Sequence, residues 1–292
     1  MIAIPQKTSA SPIIPTAPEK EQNLRRMMRD MKSVLVAYSG GVDSAFLALI
    51  ATQELGKRAL CITGLSPSVS EFQRTEAAKI AREFDFNFET IDTAEMEDPS
   101  YRANAENRCY FCKSELYGKL AEVAESRDIA FVVDGTNADD TGDHRPGRTA
   151  ADENKVRSPL VEAGFSKDEI RQLSRKQGLS GWDKPASPCL SSRIAHGVPV
   201  TIGRLTKVEK GEDLLRRMGF REFRARVHGD LVRIEISTVE LEKALNMEIA
   251  GKLTAGFREL GFRYVTLDME GFRSGAMNNK KISYQLEQLE NV

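Results

Sequence analysis

The feature that most constrains this chain is a regular alternation of short apolar strands with helical segments. The first strand, Ser33–Tyr38, is apolar and β-rich, and the helix that follows, Ala45–Ala51, is apolar on most of its faces. A helix of that kind is buried, as a crossover helix against a parallel sheet is. Further strands are predicted at 58–63, 86–91 and 130–134, and helices at 70–84, 112–126 and 166–177. The alternation predicts an α/β fold with a doubly wound parallel sheet.

The pattern changes near residue 190. Gly178–Val200 is interrupted by proline and glycine, which predicts an irregular loop. Beyond it, a smaller α+β unit is predicted from helices at 207–218 and 239–260, strands at 223–227, 231–236 and 264–268, and a turn at 228–230. We therefore expect two domains, residues 23–190 and 191–292.

Composition and the ends of the chain argue against several classes of protein. The 42 Lys and Arg residues against 43 Asp and Glu residues give a net charge of -1. This balance argues against a protein that binds nucleic acid through an overall basic charge. No apolar run approaches about 18 residues, so no membrane-spanning helix is predicted. Residues 1–22, with four prolines, are predicted to be a flexible tail without a secretory signal, and the polar end from Asn278 to be frayed or helical. We expect a cytosolic protein.

A glycine-rich loop follows the first strand directly and opens the first buried helix. Its sequence is Ser39-Gly40-Gly41-Val42-Asp43-Ser44. Glycines let the backbone approach a phosphate, hydroxyls donate to its oxygens, and a helix N-terminus supplies unpaired N–H groups. No lysine follows the glycines, so this is not the P-loop of kinases and GTPases. The alternative is a turn that merely joins strand to helix.

A second polar segment, Asp134–Asp140, follows a predicted strand end, where open α/β sheets place their ligand crevice. Magnesium prefers oxygen ligands, so Asp43 of the glycine-rich loop and Asp139 are candidate ligands for Mg²⁺ bound to phosphates. The alternative is an ordinary turn, since acidic strand ends are also common in turns.

Three of the four cysteines are candidates for chemistry. Cys109 and Cys112 open a predicted helix, where a thiol pKa is lowered, and Cys189 lies in a loop in which Arg193 is placed to stabilise a thiolate. Cys61 lies within a strand and is predicted to be a buried apolar side chain. Three thiolates would hold three irons of a [4Fe–4S] cluster, whereas zinc normally takes four Cys or His ligands. The alternative is that Cys109 and Cys112 are packed or redox-paired thiols and that Cys189 works alone.

Two arginines of the second unit, Arg224 and Arg226, lie two residues apart on a predicted strand and therefore on one face. Two guanidinium groups on one face suit a phosphate or a carboxylate. On the residues alone, an ordinary solvated strand is the commoner explanation of this pattern.

The glycine-rich loop resembles the pyrophosphate loop of the ATP pyrophosphatases, the adenine nucleotide alpha-hydrolase superfamily with its HUP-type fold. Over nearly the whole chain after the tail, the sequence resembles the LarE family, ATP-dependent sulfur transferases that make the nickel-pincer nucleotide cofactor. The segments that carry this resemblance are Ser39–Ser44, Asp134–Asp140, Lys184–Arg193, Arg224–His228 and Leu267–Gly275.

The resemblance implies an enzyme that cuts ATP between the α and β phosphates and leaves AMP on a carboxylate of a pyridinium bis-carboxylic acid mononucleotide. It implies that Cys189 is the nucleophile and sulfur donor, and that the C-terminal domain serves substrate binding or oligomerisation. The residues implied to bind ATP are Ser39, Gly40, Gly41, Asp43, Ser44, Gly135, Thr136 and Asn137. The residues implied to bind the substrate phosphate are Arg193, Arg224 and Arg226.

Two questions stay open at this point. In sacrificial family members the C–S bond of the nucleophilic cysteine breaks, whereas Cys109 and Cys112 resemble a three-cysteine branch in which a [4Fe–4S] cluster on these two residues and Cys189 carries the sulfide. Other functions with the same loop are tRNA thiolation, an ammonia-dependent amide-forming synthetase and a non-catalytic ATP sensor. The family resemblance also implies a homo-oligomer.

Overall fold

The computed structural model describes residues 15–142, 146–185 and 187–273 of the chain. Its N-terminal part contains, in order, α1 (Ala17–Met31), β1 (Val34–Ala37), α2 (Val42–Leu55), β2 (Ala59–Leu65), α3 (Glu71–Glu83), β3 (Asn87–Asp92), α4 (Pro99–Arg102), α5 (Arg108–Ser126), β4 (Phe131–Asp134), α6 (Pro146–Glu153), α7 (Pro159–Glu162) and α8 (Lys167–Lys176). Its C-terminal part contains α9 (Ile202–Arg217), β5 (Phe223–His228), β6 (Leu231–Ile236), α10 (Leu241–Ala244), α11 (Met247–Glu259) and β7 (Tyr264–Leu267).

The larger sheet has four parallel strands in the order β3-β2-β1-β4. From β1 the chain moves to β2 and β3 on one side and then returns to place β4 on the other side. The order therefore reverses between β1 and β4, and such a switch point is where open α/β sheets bind ligands, outside the carboxyl ends of the strands. The predicted doubly wound α/β class is confirmed.

Burial of α2 explains its apolar sequence. Phe46, Leu47, Ala48 and Ile50 have no exposed surface, and the helix packs in one core with α1, β1 and β2. Cys61 lies inside β2 in the same core, as predicted, and burial raises the pKa of its thiol to about 12. Helices α3 and α8 begin with capping boxes, so local polar signals fix where these helices start.

The smaller sheet has the order β5-β6-β7, in which β5 and β6 are antiparallel and β6 and β7 are parallel. The predicted turn joins β5 to β6, with Gly229 at a φ of 62°. The core of this unit also takes in residues from the N-terminal part of the chain, including Tyr101 and the partly buried Cys112. The predicted second unit is thus present as a smaller sheet with helices, and the boundary near residue 190 stays a prediction.

Among the element boundaries that differ from the sequence predictions, two have a cause in a local cap. The predicted tail of residues 1–22 is too long, because α1 begins at Ala17 behind a capping box formed by Thr16 and Glu19. The predicted helix 239–260 is divided, because the side chain of Asn246 caps a new helix start at α11. The rest of the predicted tail, residues 1–14, and the predicted C-terminal segment from Asn278 lie outside the described residues.

Within the described ranges, every helix is too short or too polar to cross a membrane.

Candidate active site

The glycine-rich loop lies at the carboxyl end of β1 and runs into the first turn of α2. The hydroxyls of Ser39 and Ser44 lie 3.1 Å apart, and Ser44 Oγ donates to the carbonyl of Gly41 over 3.0 Å. Gly40 adopts a φ of 74°, and a Cβ at this position would lie 2.7 Å from the Cβ of Ala77 on α3. The loop therefore requires glycine at position 40 both for its backbone conformation and for its contact with α3.

The loop after β4 packs directly against the start of α2. A Cβ on Gly135 would lie 2.7 Å from the backbone nitrogen of Ser44, so only glycine permits this approach. Thr136 Oγ1 donates to Asp134 over 2.7 Å, and the side-chain oxygen of Asn137 accepts from the amide of Asp139 over 3.0 Å. The two segments predicted to bind ATP therefore meet at the switch point of the sheet.

An ion pair lies at the mouth of this loop. Lys167, the first residue of α8, contacts one carboxylate oxygen of Asp43, while the other oxygen, Oδ1, is buried and has no hydrogen-bond partner within the described structure. Burial raises the pKa of Asp43, although Lys167 opposes that shift. Asp139 accepts a hydrogen bond from the backbone amide of Lys167 over 2.8 Å. The predicted Mg²⁺ ligands Asp43 and Asp139 are therefore brought together around Lys167.

Sequence reasoning missed Lys167. It follows the capping residue Ser166 and carries no motif of its own, so the capping box indicated a helix start and gave no sign of a contact with a loop 124 residues earlier in the chain.

Cys189 lies on the same edge of the sheet as the glycine-rich loop. The amide of Leu190, the next residue, donates to the carbonyl of Ser68 over 2.8 Å, and Ser68 follows the carboxyl end of β2. Arg193 reaches back along this loop and donates to the carbonyls of Pro188 and Cys189 over 2.5 and 3.0 Å. The backbone at Cys189 is thus fixed from both sides, and its thiol is partly exposed.

The three cysteines predicted to act together are neighbours, but the prediction of a lowered pKa is wrong for Cys112. Burial raises the pKa of Cys112 well above its ordinary value, and the nearby groups Cys189, Glu95 and Cys109 raise it further. These effects outweigh the helix N-terminus that the sequence suggested. Among the described residues no three or more His, Cys, Asp or Glu side chains are arranged to hold a metal ion. The predicted [4Fe–4S] site therefore has no support in this arrangement.

The three predicted phosphate-binding arginines form one buried cluster beside the Cys189 loop. Arg193 pairs with Glu212 over 2.8 Å, and Arg226 pairs with Glu235 over 2.9 Å, with all four side chains nearly buried. Burial, followed by the neighbouring charge of Arg193, lowers the pKa of Arg224 to about 10. The cluster therefore places three guanidinium groups, the kind of donor that suits a phosphate or a carboxylate, beside the Cys189 loop.

Arg193 is bonded to the backbone of the Cys189 loop. Its guanidinium nitrogens donate to Glu212, to Ser192 and to the carbonyls of Pro188 and Cys189, and its side chain is 2% exposed. The charge of Arg193 is thus neutralised by Glu212, and its hydrogen bonds anchor the loop backbone. Its action on the Cys189 thiolate stays a prediction. Its role at a substrate phosphate stays a prediction.

A buried polar cluster from α4 and the start of α5 holds the segment after Cys189. The hydroxyl of Tyr101 lies 2.6 Å from Ser191 Oγ, and Arg108 donates to the carbonyl of Ser191 over 2.9 Å. The side chain of Asn104 donates to the carbonyls of Ala195 and Val198, each over 2.8 Å. Sequence reasoning missed these residues, because their partners lie about 90 positions away and no local pattern marks them.

A glycine-rich loop that opens a buried helix at the switch point of a parallel α/β sheet is typical of nucleotide-binding proteins. A family profile described as NAD synthase matches residues 20–118. The chain is 44% identical to an uncharacterized protein, slr1717, of Synechocystis sp., covering 89% of this chain and 97% of that protein. It is 33% identical to the pyridinium-3,5-bisthiocarboxylic acid mononucleotide synthase of Lactiplantibacillus plantarum, covering 93% of this chain and 98% of that protein.

An uncharacterized protein, MJ0830, of Methanocaldococcus jannaschii is 29% identical over 87% of this chain and 96% of its own length. The similarity to the synthase spans both sheets, including the Cys189 loop and the arginine cluster. The chain therefore belongs to the LarE family of ATP-using PP-loop proteins.

Proposed function

We propose that this protein is an ATP-dependent sulfur transferase that converts a carboxylate of a pyridinium bis-carboxylic acid mononucleotide into a thiocarboxylate for the nickel-pincer nucleotide cofactor. The observation that carries the proposal is the placement of Cys189. The amide of the next residue, Leu190, donates a hydrogen bond to Ser68, which follows the carboxyl end of β2 on the sheet edge that carries the phosphate loop. The backbone of Cys189 also accepts a hydrogen bond from Arg193 of the arginine cluster. A thiol on the sheet edge of the phosphate loop and beside the arginine cluster supports the proposal.

The first step is activation of the substrate. A carboxylate is a poor acyl donor because its oxygen is a poor leaving group. Its attack on the α-phosphorus of ATP breaks the bond to the β-phosphate, so that pyrophosphate leaves and an acyl adenylate forms. The protein supplies the N–H groups at the start of α2 and the hydroxyls of Ser39 and Ser44 for the phosphates. Gly135, Thr136 and Asn137 line the side of the nucleotide next to this helix start.

The charges around the phosphate loop fit magnesium. The buried, unpartnered oxygen of Asp43 is a hard ligand of the kind Mg²⁺ prefers, and Asp139 lies close by. Magnesium would be held by one or two such carboxylates together with phosphate oxygens, and it would neutralise charge that develops on them. Lys167, released from Asp43, would then face the departing pyrophosphate.

In the second step the Cys189 thiolate attacks the adenylated carbonyl. A thioester forms and AMP leaves with the electron pair of the acyl–oxygen bond. In the sacrificial route a base then removes the Cα proton of Cys189. That electron pair forms a Cα=Cβ double bond and the Cβ–Sγ bond breaks, which leaves dehydroalanine in the chain and a thiocarboxylate on the substrate. Arg224 and Arg226 would hold the phosphate of the mononucleotide meanwhile.

Whether the chain acts once or repeatedly depends on Cys109 and Cys112. Our prediction of a [4Fe–4S] cluster on these residues and Cys189 would spare the protein's own sulfur. The three thiols are neighbours, yet in this structure they are not arranged around one metal position. We therefore derive no step through a cluster. The prediction is tested by anaerobic reconstitution with iron and sulfide: absence of cluster absorbance, or an equal single-turnover yield in Cys109→Ala, removes it.

The proposed function is tested by following pyrophosphate release and the intact mass of the chain with ATP and the mononucleotide. We expect pyrophosphate release to be lost in Asp43→Ala, and we expect it to persist without thiolated product in Cys189→Ala, with Cys61→Ala as the matched control. Loss of one H₂S from the chain marks the sacrificial route, and an unchanged mass with thiolated product marks a relay. Amide formation with ammonium and no thiolation would favour the synthetase alternative, and wild-type rates in Asp43→Ala would contradict the enzyme proposal.

We further propose that the protein acts as a homo-oligomer in the cytosol, where thiols stay reduced. All four cysteines are free, as a thiol nucleophile requires. Mass measurement of the native protein in solution tests the oligomeric state.

A further inference from the structure

Helix α3 contacts both parts of the proposed active site. On one side its Ala77 packs against Gly40 of the phosphate loop, and the carbonyl of Ala77 accepts a hydrogen bond from the Tyr38 hydroxyl over 3.0 Å. At its start, the amide of Glu71 donates to Glu209 of α9 over 2.7 Å. The position of α3 is thus fixed relative to the phosphate loop and to the C-terminal unit.

The same helix also holds the loop that leads into Cys189. Gln73 donates to the carbonyl of Ser187 over 2.6 Å, two residues before the cysteine. One turn further along, Glu76 forms an ion pair with Lys184. The described residues of 178–189 form turns and no helix or strand, so they lack backbone ladders that would set their position. The side-chain contacts of Gln73 and Glu76 with this loop therefore help to fix its position.

The Glu76–Lys184 pair contributes little to stability by itself. The Lys184 side chain is 39% exposed and that of Glu76 is 24% exposed, and ion pairs at such positions are weak. Their position gives them another use. Glu76 is adjacent in sequence to Ala77, the residue in contact with the phosphate loop. The ion pair therefore connects the Cys189 loop to the phosphate loop through two neighbouring residues of α3.

We propose that Glu76 and Lys184 are positioning residues, which set the distance between the Cys189 thiol and the carboxylate activated at the phosphate loop. This inference rests on the proposed function and extends it. Attack on a bound acyl group depends steeply on geometry, and an error near 1 Å costs on the order of a hundredfold in rate. The adenylation step uses groups on the phosphate loop, the start of α2 and the loop after β4, and it does not depend on where Cys189 lies. Loss of the pair should therefore separate the two steps.

The experiment compares four variants in single-turnover reactions with ATP and the mononucleotide: Lys184→Met, Glu76→Gln, Lys184→Arg and a control, Glu89→Gln. Glu89 forms a similarly exposed ion pair with Arg127 elsewhere on the sheet. In Lys184→Met and Glu76→Gln we expect the single-turnover rate constant of sulfur transfer to fall on the order of tenfold to a hundredfold, with the half-saturating mononucleotide concentration unchanged. Pyrophosphate release should stay within about twofold of the wild type, as for a weak surface pair. Lys184→Arg should restore transfer, and Glu89→Gln should match the wild type.

Two results would overturn the proposal. Wild-type sulfur transfer in Lys184→Met would show that the pair is dispensable, and equal losses of pyrophosphate release and sulfur transfer would show a general structural role. Hydrogen exchange of the peptide that contains the amide of Leu190 gives an independent reading. We expect faster exchange in Lys184→Met than in Glu89→Gln, and equal rates would contradict the inference. If the wild type releases no pyrophosphate and transfers no sulfur, the proposed function fails, and this exchange measurement still decides whether the pair holds the loop.

Discussion

The contact between Gly135 and the start of α2 gives the sharpest prediction. In Gly135→Ala the new Cβ would lie 2.7 Å from the nitrogen and 2.8 Å from the Cα of Ser44. Carbon atoms pack best about 3.5–4.0 Å apart, so the loop and the helix must separate by about 1 Å. Both atoms of Ser44 belong to the backbone and cannot rotate away. Overpacking of this kind costs about 1–3 kcal/mol in the free energy of unfolding, and we expect the upper part of that range.

The assay is urea unfolding together with ATP binding by calorimetry. Gly135→Ala should unfold at lower urea and bind ATP more weakly, because the N–H groups at the helix start move with Ser44. Gly118→Ala is the matched control, since Gly118 lies within α5 and a Cβ there meets no heavy atom within 4 Å. Replacing a helical glycine with alanine stabilises by about 0.8–1 kcal/mol, so the control should shift in the opposite direction. Wild-type unfolding and ATP affinity in Gly135→Ala would refute the reasoning.

Three further predictions concern charges and thiols. Burial raises the pKa of Glu169, but hydrogen bonds from Lys20 and from the start of α8 outweigh burial and lower the pKa overall. The charged side chain therefore stabilises the fold above the pKa of the unfolded state, and this stabilisation is lost as the pH falls through the pKa of the folded state. Glu169→Gln should keep the cap and lose about 0.5–1 kcal/mol near neutral pH by urea unfolding, and an unchanged deficit in acid would contradict this. Iodoacetamide at about pH 8 should label exposed Cys109 before Cys112, whose pKa burial raises, as read by peptide mass; the reverse order would contradict the burial argument. Glu235 is fully buried and pairs with two arginines. The substitution Glu235→Gln should lower the free energy of unfolding in urea by about 3–5 kcal/mol, because it leaves a buried charge without its partner. An unchanged free energy of unfolding would contradict this prediction and show that the arginines relax.

Local sequence patterns predicted most of the fold. Each strand of the large sheet was expected from a short apolar run, and the start of α8 from the spacing of Ser166 and Glu169. The glycine-rich loop was placed correctly for the same reason, because strand, glycines and helix are consecutive in the chain. Where the prediction of a single helix over 239–260 failed, the competing signal was also local, because the side chain of Asn246 caps the start of α11.

The residues that sequence reasoning missed all act across long separations. Lys167 meets Asp43 over 124 positions, and Asn104 holds a segment that lies about 90 positions later. The pKa of Cys112 was misjudged because a helix start is visible in sequence and burial beside other thiols is not. Pattern analysis finds groups that act through their neighbours in the chain, whereas these groups act through contacts between elements that are far apart in the chain.

The shared core described for the smaller sheet has a consequence for anyone who wishes to cut or recombine this protein. A fragment that starts after residue 190 would carry all three strands of that sheet and still leave its interior open where Tyr101 and Cys112 belong. The natural unit for expression, grafting or exchange between relatives is therefore the strands together with the segment from α4 to the start of α5. If the C-terminal part alone were exchanged with that of a relative, its core would pack against a segment from α4 to α5 that belongs to a different sequence.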